Sequence, residues 1–305
     1  MTDPRPLREA DREGTVEHGG GRRTWYRVTG DLGAGTPLVV LHGGPGAAHD
    51  YLSTLADLAS DTRAVVHYDQ VGCGRSSHHP DAPADTWTVQ LFLDELQALL
   101  AHLGVGDHHV LGQSWGGMLA AEYAVRRPPG LRGLVIANSP ASMATWSAEA
   151  NRLREGLPTE VQDALTAYEA REQYDAPEYL AAMQVFYDRH VCRVVPNPPE
   201  VTASFTQIAA DPTVYHTMNG PTEFTVLGSL QGWTVEDRLD RVTAPTLLVS
   251  GRHDEATVAC VQPFADHVSD VRWTVFKASS HMPHVEERDE FTRVVTAFLD
   301  EVDAA

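Results

Sequence analysis

The sequence predicts an α/β protein built on a mainly parallel, doubly wound sheet. Short apolar runs alternate with helical patterns, and glycine-rich or polar loops follow several of the runs directly. Continuous apolar runs are typical of strands buried on both faces, as in parallel sheets. Because ligands bind beyond the carboxyl ends of such strands, we expect function in the loops that follow them. The predicted strands are residues 38–41, 64–68, 109–111, 134–137, 246–250 and 271–276.

A hairpin is predicted before the first of these runs. Residues 15–17 and 24–28 flank the turn sequence His18-Gly19-Gly20-Gly21. Residues 1 to about 15 are polar and charged, so we expect a mobile extension there.

Helical spacing of apolar residues marks the helices of the core. Residues 88–103 form one, with Thr86 or Thr88 as the candidate N-cap. Residues 118–127 form another, and residues 288–302 close the chain as an amphipathic helix.

Residues 139–240 lack the alternation of strand and helix. They are rich in alanine, glutamate and tyrosine in helical patterns that prolines interrupt. We predict a helical cap over 139–240, inserted into a core formed by 1–138 and 241–305.

Composition excludes several classes of function. The formal charge of −19 makes nucleic acid an unfavourable partner. The three cysteines, Cys73, Cys192 and Cys260, are too few and too widely spaced for a disulfide framework or a zinc cluster, and we predict no metal or cofactor.

We also expect no targeting signal in this sequence. Residues 1–21 lack the apolar stretch of a secretory signal, and no apolar run reaches the roughly 20 residues of a membrane helix. A cytoplasmic location is the resulting expectation.

The strongest chemical signal is Gly112-x-Ser114-x-Gly116 between a predicted strand and a predicted helix. This context is that of a nucleophile elbow, in which a tight turn projects the serine hydroxyl above the sheet. The helix that follows favours a developing negative charge at its N-terminus. We therefore predict that Ser114 is a catalytic nucleophile.

A serine needs a histidine base that a carboxylate orients. In a fold with such an elbow the chain order is serine, acid, histidine. Asp254 follows the strand that ends at Ser250, and His281 follows the last strand. We predict Ser114, Asp254 and His281 as the catalytic triad.

Alternatives exist for the base. His284 lies three residues from His281 in the same loop and is its main rival. His253 adjoins the predicted acid, and His267 falls within a predicted helix, so both are weaker candidates. His281 is preferred because it comes first after the strand and two small serines.

Alternatives exist for the acid as well. Glu255 adjoins Asp254, but only one of two neighbours can face the histidine. Asp69 follows an earlier strand and is the runner-up, although its carboxylate is better suited to tying down the turn over residues 72–74.

An oxyanion hole requires two converging N–H groups. We expect one from Trp115, the residue after the nucleophile, and the other from the Gly43-Gly44 loop. Glycine at these positions lets the backbone approach a tetrahedral oxygen or the substrate closely.

Together these motifs resemble the proline iminopeptidase family of aminopeptidases with an α/β-hydrolase core. The resemblance covers nearly the whole chain, and the segment with Met218 and Glu223 is its most specific part. The motifs are His42-Gly43-Gly44-Pro45-Gly46, Asp69-Gln70-x-Gly72-x-Gly74-x-Ser76, Gly112-Gln113-Ser114-Trp115-Gly116-Gly117, Met218-Asn219-Gly220-Pro221-x-Glu223-Phe224, Gly251-x-x-Asp254-Glu255 and Ser280-His281.

The resemblance implies release of an N-terminal residue, often proline, from small peptides or amino-acid amides. It implies that Gly44 and Trp115 form the oxyanion hole and that Glu223 and Glu255 hold the free α-ammonium of the substrate. A substrate contact is also expected at Gly43.

Two other functions stay open at this point. One is an esterase, lactonase or specialised amidase on the same scaffold, because a fold does not fix a substrate. The other is a ligand-binding protein without activity, against which the intact serine, acid and histidine argue. Epoxide or haloalkane hydrolysis is disfavoured because it would need a carboxylate in place of Ser114.

Overall fold

The computed structural model describes residues 5–305, which form one eight-stranded sheet in the order β1-β2-β4-β3-β5-β6-β7-β8. The β2 strand pairs antiparallel with β1 and with β4, and all other neighbours are parallel. The prediction of a mainly parallel sheet is confirmed. The strands are β1 (Arg12–His18), β2 (Arg22–Thr29), β3 (Leu38–Leu41), β4 (Val65–Asp69), β5 (His108–Gln113), β6 (Leu131–Ala137), β7 (Thr246–Gly251) and β8 (Val271–Phe276).

Helices cover both faces of this sheet. Alternate residues of β3 point to opposite sides: Val39 belongs to the same buried cluster as Phe92 of α1, whereas Val40 belongs to the cluster that contains Phe291 of α10. The sheet is therefore doubly wound, as predicted. The helices are α1 (Val89–Leu103), α2 (Trp115–Ala124), α3 (Met143–Arg154), α4 (Thr159–Glu169), α5 (Pro177–His190), α6 (Pro199–Ala210), α7 (Thr213–Met218), α8 (Val258–His267), α9 (Pro283–Glu286) and α10 (Arg288–Asp303).

The N-terminal hairpin forms as predicted, but the extension before it is shorter than expected. The β1 strand begins at Arg12, which pairs with Val28 of β2. The Arg8 guanidinium also donates to the Ala59 carbonyl over 2.7 Å. The expectation of a mobile extension up to residue 15 is therefore wrong from Arg12 onward; its first four residues lie outside the described part of the chain.

Local sequence signals set the helix ends. Thr88 is the N-cap of α1, and its hydroxyl accepts a hydrogen bond from the Leu91 N–H over 3.2 Å. The α2 helix begins at Trp115 instead of the predicted residue 118, because it continues directly from the turn at Ser114.

The segment between β6 and β7 is helical. Helices α3 to α7 and the 3₁₀ helix Glu236–Arg241 all lie within residues 138–245, a range that the structure describes completely. The division into core and cap stays a prediction. No helix within residues 5–305 has the length and apolar character needed to cross a membrane.

Candidate active site

Ser114 occupies a strained turn between β5 and α2. Its φ of 56° and ψ of −125° lie in a region that residues other than glycine rarely adopt. A Cβ at Gly112 would lie 2.0 Å from the Gly116 carbonyl oxygen, and one at Gly116 would lie 2.0 Å from the Leu41 carbonyl oxygen. The two motif glycines therefore permit the close packing that holds the serine in this conformation.

Asp254 and His281 meet beyond the ends of β7 and β8. The His281 Nδ1 atom lies 2.7 Å from an Asp254 carboxylate oxygen, and both side chains are buried. Burial lowers the pKa of His281, but the Asp254 carboxylate outweighs it, so the pKa is raised. The pair thus has the geometry of a base and its orienting acid.

Asn138 completes the surroundings of the acid, and sequence reasoning missed it. Its side-chain amide donates to the second Asp254 oxygen over 2.5 Å and to the Ser280 carbonyl over 3.2 Å. Asn138 follows β6 at the same sheet edge, so its position after an apolar run was the available signal.

The rival histidines have other partners. The His284 Nε2 atom lies 3.1 Å from the Tyr51 carbonyl oxygen, and burial lowers the pKa of His284 to about 3. His267 is the last residue of α8, and the His253 carbonyl accepts a hydrogen bond from His190. Of the candidates, His281 is the one hydrogen-bonded to Asp254.

The carboxylate of the rival acid Asp69 has a structural role, which was the interpretation preferred from the sequence. One carboxylate oxygen accepts from the His49 N–H and lies 2.7 Å from the His49 ring, while the other accepts from the Arg75 N–H over 2.8 Å. Both Asp69 carboxylate oxygens are therefore bonded to His49 and Arg75 and not to His281.

A small cavity of about 40 Å³ brings most predicted site residues together. Ser114, His281, Gly44, Glu223 and Glu255 all line it. A second, smaller cavity of about 10 Å³ shares Gly44, Ser114 and Glu223 with the first and also contacts Trp115. Much of the remaining wall is apolar, from Val191, Val201, Phe205, Ile208 and Met282 in the first cavity and from Met118, Met143, Trp146 and Leu230 in the second.

Of the Gly43-Gly44 pair, Gly44 lines both cavities, and its role as an oxyanion donor stays a prediction. The Gly43 N–H donates to the Tyr51 hydroxyl over 2.7 Å, and Gly43 lines neither cavity. The expected substrate contact at Gly43 stays a prediction; a Cβ at this glycine would lie 3.0 Å from the Ser114 Cβ.

Tyr51 and Gln113 connect three parts of the site, a link that sequence reasoning missed. The Tyr51 hydroxyl accepts from Gly43 and donates to the Gln113 side-chain oxygen over 2.5 Å. The Gln113 amide donates to the His281 carbonyl over 2.9 Å. The glycine loop, the nucleophile turn and the histidine loop are thus joined by one buried chain of hydrogen bonds.

Glu223 and Glu255 are carboxylates facing this cavity. Glu255 is fully buried, and neither of its side-chain oxygens has a hydrogen-bond partner within the described residues. Glu223 accepts from the Tyr215 hydroxyl over 2.7 Å. Burial raises the pKa of both, and the Glu223 charge raises that of Glu255 further. Such a pair is suited to a cationic partner.

Comparison with known proteins agrees with the fold and the site. A family model for the alpha/beta hydrolase fold matches residues 36–288. A proline iminopeptidase of Saccharolobus solfataricus is 39% identical over 285 residues, covering 92% of this chain and 90% of that protein.

Two crystal structures are similar over nearly their whole lengths. That of VinJ has a TM-score of 0.95 at 53% identity, covering 96% of this chain and 100% of the other. That of the proline iminopeptidase of Mycobacterium smegmatis has a TM-score of 0.90 at 54% identity, covering 96% and 99%. The chain therefore belongs to the proline iminopeptidase family of α/β-hydrolases.

Proposed function

We propose that this protein is a serine aminopeptidase that releases N-terminal residues, proline or other small apolar residues, from short peptides or amino-acid amides. The observation that carries the proposal is the buried Glu255 carboxylate, which accepts no hydrogen bond within residues 5–305 and lies in the same cavity as Ser114 and His281. Relatives that bear the name proline iminopeptidase support it.

The reaction follows from the positions of these groups. His281 takes the proton from the Ser114 hydroxyl, which attacks the scissile carbonyl carbon. The N–H groups of Gly44 and Trp115 stabilise the oxyanion, and His281 returns the proton to the leaving amine. Water, activated by His281, then releases the acyl group, while Asp254 orients and stabilises the imidazolium.

Recognition of the amino end explains why such an enzyme would remove a single residue. An α-ammonium carries N–H donors that a carboxylate accepts in strong charge-assisted bonds. The Glu255 Oε1 atom lies 3.7 Å from the His281 Nε2 atom, so a cation bound there would sit close to the reacting carbonyl. A blocked amino end offers no positive charge and would leave the Glu255 carboxylate unpaired.

We propose that residues 139–240 act as a cap that sets the size of the substrate. Val201, Phe205 and Ile208 of α6 face the first cavity, and Glu223 follows α7 in the same segment. The limited volume of that cavity favours short substrates. We further propose a cytoplasmic location, which the buried free thiols of Cys73, Cys192 and Cys260 support.

Two measurements test the chemistry of the proposal. A fluorophosphonate probe should label the wild-type protein at Ser114 and should not label Ser114→Ala. Turnover of prolyl p-nitroanilide, prolinamide and an uncharged p-nitrophenyl ester then separates the functions. Hydrolysis of the ester without the two amine substrates would replace the aminopeptidase assignment with an esterase, and absence of labelling would remove the enzyme assignment.

A further inference from the structure

A basic surface cavity lies outside the catalytic cavity, and none of its lining residues is shared with it. Three arginines and two histidines line this arginine pocket: Arg152, Arg189, Arg193, His190 and His253. We propose that the arginine pocket binds a phosphate group.

The charge of the pocket is opposite to that of the protein as a whole. The chain carries 23 lysines and arginines against 42 acidic residues, yet no acidic side chain is among those that line the pocket. Burial lowers the pKa of His253, and the nearby charges of Arg193 and Arg252 lower it further. A local positive field of this kind attracts multiply charged anions despite the net charge.

Two of the arginines have no carboxylate paired with their guanidinium groups within residues 5–305, although the Glu286 carboxylate accepts from the Arg193 backbone N–H. Arg152 pairs with Glu149 over 2.7 Å. The Arg189 guanidinium makes only a 3.3 Å hydrogen bond, to the Gly156 carbonyl, and neither Arg189 nor Arg193 forms a side-chain ion pair within residues 5–305. Free guanidinium groups present paired N–H donors that match the oxygens of phosphate.

Two lining residues of the pocket, His190 and His253, adjoin the loop that carries the catalytic acid. The His190 carbonyl accepts from the Glu255 N–H over 3.2 Å, and the His190 ring lies 2.9 Å from the His253 carbonyl oxygen. The His253 N–H in turn donates to the Ser279 carbonyl over 3.0 Å. A bound phosphate would therefore contact residues that support the Asp254–Glu255 loop, and its binding should stabilise the folded protein.

The test titrates sodium phosphate in the low millimolar range, with sodium chloride at equal ionic strength as the reference. Calorimetry and the thermal midpoint should show binding to the wild type that the double variant Arg189→Gln/Arg193→Gln weakens at least tenfold. The double variant Arg132→Gln/Arg171→Gln, which removes the same charge from exposed positions elsewhere, should bind phosphate as the wild type does.

Two results would overturn the proposal: a wild-type response to phosphate no larger than that to chloride, or an equal response in the Arg189/Arg193 variant. The single variant Arg193→Gln provides the same comparison if the double variant is unstable. A parallel titration with glycerol 3-phosphate identifies the source of the ligand, since equal binding indicates phosphate monoesters and absent binding indicates free phosphate.

Discussion

Replacing Glu255 with glutamine keeps the size of the side chain and removes its negative charge. Because both carboxylate oxygens are buried in the cavity and accept no hydrogen bond within residues 5–305, the change should act mainly on substrates that bring a positive charge. We expect a lower kcat/KM for prolyl p-nitroanilide and little change for an uncharged ester.

The structure sets the size of the effect. A hydrogen bond to a charged group contributes about 1.5–3 kcal/mol, and about 1.4 kcal/mol corresponds to a tenfold change in rate. Loss of the Glu255 charge, with Glu223 still in place, should therefore reduce kcat/KM for the amine substrate by roughly 10- to 150-fold.

Steady-state kinetics on both substrates provides the assay, and Glu95→Gln is the matched control. Glu95 is also a fully buried carboxylate, but it bonds Thr24 and the Val71 N–H and lines neither catalytic cavity. An equal loss on amine and ester substrates in Glu255→Gln, or a selective loss in Glu95→Gln, would refute this reasoning.

Three further predictions follow from the site and its surroundings. Without substrate, burial and then the neighbouring Glu223 and Asp254 charges raise the pKa of Glu255, whereas a bound ammonium would favour the ionised carboxylate. The folded protein without substrate therefore keeps a proton that the unfolded chain loses above the ordinary pKa of about 4.5, so the Glu255 carboxyl lowers stability as pH rises from there. Thermal midpoints should accordingly show Glu255→Gln gaining stability over wild type between pH 5 and 8; no gain would contradict a raised pKa. Tyr51→Phe removes the hydrogen bonds to the Gly43 N–H and the Gln113 side-chain oxygen, and it should lower kcat about tenfold with KM nearly unchanged. Tyr123→Phe is the control, because the Tyr123 hydroxyl contacts His108 instead, and it should retain activity. Equal kinetics in the two variants would argue against a positioning role for Tyr51. Gly116→Ala places a Cβ 2.0 Å from a backbone oxygen and should abolish soluble, probe-reactive protein. Gly106→Ala is the control and should match wild type, because a Cβ at Gly106 meets no atom within 4 Å. Normal labelling of Gly116→Ala would show that the turn tolerates a side chain.

Much of the fold could be predicted because the sequence patterns that mark its strands lie within short segments of the chain. The β3 strand is a continuous, fully buried apolar run, and both β3 and β8 have the predicted ends, residues 38–41 and 271–276. The start of β1 was misjudged because Arg12 and its neighbours are polar and mostly exposed on an edge strand, so their pairing with β2 leaves no apolar pattern.

The site was predictable where a motif fixes chemistry and backbone together. Ser114 is such a residue, since its turn requires the flanking glycines. The roles of Asn138 and Tyr51 depend on contacts 116 and 62 residues away in sequence, with Asp254 and Gln113 respectively. Side chains of these types are common, and only the folded chain shows which of them meet.

The central claim is that the catalytic serine acts on substrates with a free amino end. Its most direct test is the ratio of kcat/KM for prolyl p-nitroanilide to that for N-acetylprolyl p-nitroanilide, measured with the wild-type protein. Loss of charge-assisted bonds to both Glu223 and Glu255 predicts a ratio of about 100 or more in favour of the free amine. Equal turnover of the two substrates would contradict the account.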